Sequence, residues 1–345
     1  MRMKCAVFTA PYQFEIMERD KPIPGEHEVL VAIKAVGICG SDIHPYKGQA
    51  LERRQPGIIM GHEASGIVEA AGKAVTQWKA GDRVTINPQI YCGHCEMCKS
   101  GMNHLCDNML LIGSSMRKFL DGAMCEYITI SENQLYRLPD GVSYDHGALL
   151  DPLGNAVHLV NRAGIKLGDT VVVIGAGAIG LLASQTARLA GASTVIVIDI
   201  SPYKMQLAKD LGADHVLNSK DEDIFETIKQ LTAGTGPDVI IEAVGISDTY
   251  NMALQMCRKR GTLIALGFTK PMLEVNFQQL IYKEINVLGS TGFSSECKTV
   301  VELLGSGRLN VDKIITHKFP LAQINEAFQT LCEPKSNAIK VILNP

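Results

Sequence analysis

The sequence predicts a two-domain α/β chain: a barrel-like β domain first, then a doubly wound parallel sheet covered by helices. Three observations carry this. The chain has 345 residues, more than one core of roughly 150 residues organises. Up to about residue 145, short apolar runs are divided by Gly, Asp and Pro, with no helix-period stretch of any length. From Thr170 onward, strand and helix patterns alternate.

In the first half, Val29–Val36 (VLVAIKAV) reads as a strand leading into GICGSD. Gly61–Glu69, Gly81–Ile86 and Tyr127–Ile130 repeat the pattern. In the second half VVVIGAG (171–177) is a strand and Ala178–Ala190 a helix. VIVIDI (195–200) and His215–Asn218 are strands, with a helix between them that holds Pro202 in its first turn. Helices over Asp221–Thr232 and Thr249–Cys257 alternate with strands VIIEAVG (239–245), GTLIALG (261–267) and Ile285–Ser290. Apolar, β-branched strands of this kind belong to a sheet buried on both faces. The tail holds two helix patterns, ITHKFPL and the strand AIKVIL, and either completes this sheet or returns to the first domain.

Composition narrows the function. Apolar residues are 46% and charged residues 20%, which suits a globular protein and excludes disorder. The net charge of −3 argues against a dedicated nucleic-acid binder. The first residues, MRMKCAVFTAPYQFEI, lack a signal-peptide core, and a cytoplasmic location is expected. The uncharged stretch Thr170–Ala187 contains three glycines and a Ser-Gln-Thr tail, so a buried strand and helix is expected there, not a membrane span. Ten cysteines in a reducing compartment read as metal ligands more readily than as disulfides.

Gly175-Ala-Gly177-Ala-Ile-Gly180 follows a strand and opens a helix. Gly175 permits the tight turn, Gly177 lets the backbone approach a pyrophosphate, and Gly180 lets helix and strand pack closely. Asp199 ends the next strand, nineteen residues after Gly180, where a carboxylate accepts from ribose hydroxyls of NAD and repels the phosphate of NADP. A Rossmann-like methyltransferase or nucleotide-sugar enzyme shares the geometry.

Cys92, Cys95, Cys98 and Cys106 lie within fifteen residues in YCGHCEMCKSGMNHLC. Four thiolates suit a tetrahedral, closed, structural zinc. His94 and His104 are competing ligands within the loop; an iron–sulfur cluster and a nucleic-acid-binding zinc ribbon are the rival readings. A second set is Cys39 in GICGSDIH, His62-Glu63 in GHEASGIV and Asp151 in LLDPLGNAVH, a carboxylate beside an apolar run that calls for a cation.

These motifs, in this order and over nearly the whole chain, resemble the zinc-dependent medium-chain dehydrogenases. The resemblance implies a GroES-like catalytic domain over 1–155 and 291–345 and an inserted Rossmann domain over 156–290. The sorbitol, polyol, sugar-acid and threonine dehydrogenases look closest, since they share a carboxylate where others have a second cysteine. DPLGNAVH is similar to the threonine enzymes; NPQIYCGHC looks more like the polyol and sugar-acid members.

By that resemblance Cys39, His62 and Glu63 hold a catalytic zinc and Asp151 takes the exchangeable fourth position. Ser41 and His44 match the family's proton relay, so the catalytic set is Ser41, His44 and Glu63. Asp199 and Lys204 look like adenosine-ribose contacts, Ile179 covers the cofactor, and Leu266, Gly267, Phe268, Ser290 and Thr291 match the nicotinamide side. The implied enzyme is an NAD-dependent homodimer or homotetramer acting on a small polyol or sugar acid, with no nucleic-acid or membrane partner. A non-catalytic zinc and dinucleotide protein is the reading from another class, and the intact relay argues against it.

Overall fold

The computed structural model describes residues 1–345 apart from Phe268 and Lys270. The chain divides into two compact units, Met1–Asp151 with Phe293–Pro345, and Pro152–Gly292.

The first unit opens on an antiparallel hairpin of β1 (Arg2–Ala10) and β2 (Gln13–Asp20). The sequence pattern does not reveal it, because Cys5 to Phe8 are all buried and show no alternation. There follow β3 (Glu28–Gly37), α1 (Gly40–Tyr46), β4 (Glu63–Ala71), β5 (Arg83–Ile86), β6 (Gln89–Ile90) and α2 (Glu96–Lys99). Then come β7 (Leu110–Leu111), β8 (Tyr127–Ser131), β9 (Leu135–Arg137) and α3 (Tyr144–Gly147), and α4 (Leu150–Ala163) begins in this unit and runs into the second. No helix-period stretch appears before about residue 145, yet the short helices α1 and α2 form there. Both are too short to show a 3.6-residue period. They form because side chains satisfy their first N–H groups: Cys39 caps α1 and Cys95 caps α2.

The second unit alternates β10 (Thr170–Ile174), α5 (Ala178–Ala190), β11 (Thr194–Asp199), α6 (Pro202–Asp210), β12 (His215–Asn218) and α7 (Ile224–Leu231). It continues with β13 (Val239–Glu242), α8 (Ser247–Met256), β14 (Thr262–Ala265), α9 (Phe277–Lys283) and β15 (Asn286–Gly289). The six strands are parallel, in the order β12-β11-β10-β13-β14-β15. Val171–Ile174 and Val195–Ile198 are buried throughout, as strands covered on both faces must be. Strand β13 stops at Glu242, three residues short of the expected end. The Glu242 carboxylate captures the N–H groups of Val244 and Gly245 and turns the backbone out of the ladder.

The chain then forms α10 (Glu296–Ser306), β16 (Ile315–Pro320), α11 (Ile324–Cys332) and β17 (Lys340–Asn344). Here the structure decides what the sequence leaves open. Leu343 and Ile342 of β17 lie opposite Val36 and Gly37 of β3, so the tail joins the first unit's sheet, ordered β16-β17-β3-β4-β5-β9 with β8 also on β3. Its core gathers Val29, Val31, Ile33, Val68, Val84, Ile86, Val341 and Leu343. Among the described residues, no helix is long and apolar enough to cross a membrane. The uncharged stretch 170–187 is β10 followed by α5.

Candidate active site

The four lobe cysteines come together: the sulfurs of Cys92, Cys95, Cys98 and Cys106 all lie within 4.8 Å of one another. A tetrahedral ion with Zn–S bonds of about 2.3 Å sets its sulfurs about 3.8 Å apart. The Cys92–Cys106 and Cys92–Cys98 sulfur separations are 3.5 and 4.0 Å, on either side of that value. Backbone N–H groups point at the sulfurs, from Cys95 to Cys92, Cys98 to Cys95 and Asn108 to Cys106. N–H groups of His94 and Cys95 pull the Cys92 thiol down to about 6, while burial pushes Cys98 up to about 12. The donor set fits a closed, structural zinc. His94 is not among the clustered ligand atoms; its Nδ1 pairs with the Cys92 carbonyl oxygen at 2.8 Å.

The second set is Cys39, His62 and Glu63, whose ligand atoms also fall within 4.8 Å. Cys39 caps α1 with its sulfur accepting from the Ser41 N–H at 3.5 Å. Glu63 begins β4 opposite Gly37, and a Cβ on Gly37 would come within 2.2 Å of Glu63 Oε2. Glycine at this position therefore makes room for the carboxylate. Burial opposes a charge on His62, yet the Asp42 carboxylate and the Cys39 sulfur outweigh it and push the imidazole up to about 10. His62 Nδ1 is buried without a hydrogen-bond partner among the described residues, 3.7 Å from Asp42 Oδ1. A thiol, an imidazole and a carboxylate in a pocket that favours positive charge fit a zinc ion.

Asp151 sits in the first turn of α4. It is not one of the three residues whose atoms share the 4.8 Å envelope. Its charge is nevertheless felt at His62, and burial pushes its own carboxyl up to about 6, with His62 opposing and Glu63 adding.

Three residues at this site escaped the sequence reading. Lys340 on β17 is 4% exposed and donates to both Glu63 oxygens at 2.7 and 2.9 Å and to the Ile38 carbonyl at 3.2 Å. Burial works against its charge, but Glu63, Cys39 and Asp151 hold it above the ordinary lysine value. The signal was a lysine in the apolar run AIKVIL, where a buried ammonium needs a partner. Asp42 and Arg54 are the others, both buried and paired at 3.2 Å, with Asp42 Oδ2 also accepting from the Cys39 N–H. Arg54 also donates to the Arg53 carbonyl, so its guanidinium is tied down inside the fold.

Ser41 and His44 stand three residues apart on α1, hence on one face. His44 Nδ1 lies 3.1 Å from Oε1 of the exposed Gln49, which leads outward.

In the second unit the glycine turn follows β10 and opens α5. Gly175 has φ +101°, and a Cβ on Gly180 would come within 1.9 Å of the Gly175 carbonyl oxygen. Gly177 caps α5 without a side chain, and Ile179 is in the helix's first turn. Asp199 ends β11. Its Oδ2 accepts from Ala176 N–H at 2.7 Å, and its Oδ1 from Ile200 and Ser201 N–H at 2.8 and 2.9 Å. Oδ1 is thereby filled, and Oδ2 keeps acceptor capacity for a ribose hydroxyl. Lys204 lies in the first turn of α6, whose cap Ser201 holds its N–H. Leu266 and Gly267 follow β14, and Ser290 and Thr291 follow β15, at the same carboxyl edge. Phe268 lies outside the described residues. Counted from β10, the strand order is the doubly wound one, with its switch point between β10 and β13. The glycine turn and Asp199 fit a dinucleotide there.

Known proteins agree with this arrangement. Residues 25–140 match the family described as the alcohol dehydrogenase GroES-like domain, and residues 178–306 match zinc-binding dehydrogenase. Sorbitol dehydrogenase of Bacillus subtilis is 32% identical over 99% of this chain and 97% of its own. L-Threonine 3-dehydrogenase of Pyrococcus furiosus is 36% identical over 99% of both. A zinc-binding dehydrogenase from Sinorhizobium meliloti, solved with NADP, superposes with a TM-score of 0.92 at 31% identity over 100% of both chains. Two clustered ligand sets in one unit and a glycine-turn parallel sheet in the other thus have a common explanation: the chain belongs to the zinc-binding dehydrogenases and is an alcohol or polyol oxidoreductase.

Proposed function

We propose that the protein reversibly oxidises a secondary alcohol of a polyol, sugar acid or sugar phosphate to the ketone, passing hydride to NAD. The observation that carries this is the Cys39–His62–Glu63 set, with Asp151 as a further carboxylate whose charge reaches it. These residues would hold zinc, with Asp151 as the exchangeable ligand, and the lobe cysteines would hold a second, structural zinc. When bound, the catalytic zinc supplies Lewis acidity that acidifies an alcohol oxygen, and the nicotinamide accepts the hydride. The chain's own residues do the rest. Asp42 and Arg54 fix the His62 side of the site, and Lys340 holds Glu63. Ser41 takes the hydroxyl proton and His44 carries it toward Gln49 and solvent. Asp199, Lys204, Ile179, the glycine turn, and the residues following β14 and β15 would hold the dinucleotide. Self-association as a homodimer or homotetramer belongs to this reading, supported by exposed Phe277, Ile281 and Tyr282 on α9.

The test is NADH absorbance with a panel of polyols, sugar acids, sugar phosphates and L-threonine. The highest kcat/KM is expected on a polyhydroxylated secondary alcohol. Threonine oxidation is the second reading, favoured by the DPLGNAVH stretch and the Pyrococcus relative; the highest kcat/KM on threonine would establish it instead. No reduction with any substrate would leave a binding protein.

Cofactor preference gives a separate expectation. Like charges about 4 Å apart repel by about 4 kcal/mol at an effective dielectric of about 20, so the Asp199 carboxylate should favour NAD over NADP by more than about tenfold in kcat/KM. Asp199→Ala should narrow the ratio and also weaken both cofactors, because Ala176, Ile200 and Ser201 lose their acceptor. The Sinorhizobium relative carries NADP, so equal wild-type efficiency with both cofactors is a concrete outcome that would reject the assignment.

A further inference from the structure

Glu242 is a fully buried carboxylate at the carboxyl end of β13, and neither metal set nor the relay uses it. Its Oε1 accepts three hydrogen bonds, from Val244 N–H at 3.0 Å, Gly245 N–H at 2.9 Å and Thr249 Oγ1 at 2.7 Å. Its Oε2 is buried and has no hydrogen-bond partner among the described residues. Such a carboxylate costs free energy that an apolar side chain would not. The sheet does not need it, because the bonds that tie β13 to the exit of β14 run from Leu266 and Gly267 N–H to the Glu242 main-chain carbonyl. Among the described residues, the side chain's hydrogen bonds go to the turn Ala243–Gly245 and to the start of α8.

That turn has little freedom and a particular position. Strands β10 and β13 flank the switch point of the sheet, and ligands of such sheets bind in the crevice outside their carboxyl ends. The glycine turn after β10 is one lip of this crevice, and Ala243–Gly245 is the other. The two are in contact: a Cβ on Gly175 would lie 2.8 Å from Val244 Cγ2. On the far side, a Cβ on Gly267 would lie 2.4 Å from the Gly245 nitrogen. Tyr250 and Thr269 lace the same corner, donating to the carbonyls of Gly267 and Gly245.

We propose that Glu242 is a positioning residue for the dinucleotide. Its carboxylate holds Val244 and Gly245 as the second lip of the crevice, at the width the cofactor needs, before the cofactor arrives. The proposal rests on the dinucleotide reading above. A lip fixed in advance lowers the ordering cost of binding, so loss of the anchor should appear in cofactor affinity before it appears in chemistry.

The experiment is NADH fluorescence titration of the zinc-loaded enzyme, with steady-state kinetics and thermal unfolding of the same samples. Glu242→Ala is expected to raise the NADH Kd and the KM for NAD by about tenfold or more, with kcat at saturating cofactor changed less than about threefold. Glu242→Gln keeps an acceptor at the Oε1 position and should stay within about threefold of wild type. Thr249→Val removes one donor and leaves both backbone bonds. It should raise Kd by about two- to threefold, and it serves if Glu242→Ala does not fold. A folded Glu242→Ala with wild-type Kd, or a Thr249→Val with wild-type Kd where Glu242→Ala fails to fold, overturns the proposal. Wild-type enzyme that does not bind NADH at all overturns the dinucleotide reading itself, and this inference with it.

Discussion

Cys39→Ser should lower the metal content from about two ions per chain to about one and cut kcat/KM by on the order of a thousandfold or more. The serine oxygen is a poor replacement for a thiolate, and the remaining donors, His62, Glu63 and the exchangeable Asp151, hold zinc too weakly without it. Glu63 is in addition already paired with Lys340 through both oxygens. The fold should survive, because Cys39 contributes one weak cap to a seven-residue helix. Cys95→Ser provides the contrast. It removes one of four sulfurs from a closed site and should cost the other ion and much of the lobe's order, with a lowered Tm. Metal analysis, circular dichroism and kcat/KM on the same preparations separate the two. A Cys39→Ser enzyme that keeps both ions and its activity would show that the catalytic metal is bound elsewhere.

Lys340→Met should destabilise the protein by about 3–5 kcal/mol, the usual cost of stranding one partner of a buried ion pair. Glu63 would be left buried with neither oxygen compensated, and the Ile38 carbonyl would lose a donor. Two further measurements assign the loss to charge and not to packing. The double variant Glu63→Gln with Lys340→Met carries no stranded charge and should recover much of the stability. Bound zinc supplies a second cation beside Glu63, so the single variant should lose less when zinc-loaded than after chelation. Urea unfolding of the three proteins, with and without zinc, reads all of this. A loss below about 1 kcal/mol for Lys340→Met would mean that the pair contributes no more than an exposed salt bridge.

Wherever function depends on close spacing along the chain, the sequence was legible. Four cysteines within fifteen residues can reach one ion without help from the rest of the fold, and their sulfurs do lie within 4.8 Å of one another. The glycine turn is local for the same reason: strand, turn and helix start occupy consecutive residues, and the positive φ of Gly175 is a demand of the turn itself. Alternating apolar strands and helix periods marked the parallel sheet because both faces of its strands are buried. His62-Glu63 and Cys39 were found as motifs. Their meeting depends on β3 and β4 lying side by side, and that register is a tertiary fact.

Only the tertiary structure decided the rest. Nothing local says that Lys340 faces Glu63, 277 residues away, because the contact exists only once β17 has joined β3, and β3 has joined β4. Arg54 stands in the charged stretch YKGQALERRQP, and only the fold buries it against Asp42. Glu242 looked like one more strand residue until its carboxylate was seen bending the chain out of β13. The physical reason is the same in each case. A charged side chain reads as solvated in sequence, because most are; which few are buried depends on partners brought together by strand pairing and turns, and burial makes those few costly unless paired. The sequence by itself determined the two folds, the residues of the two clusters and the class of chemistry. The pairing of sheets determined which charges support that chemistry from within.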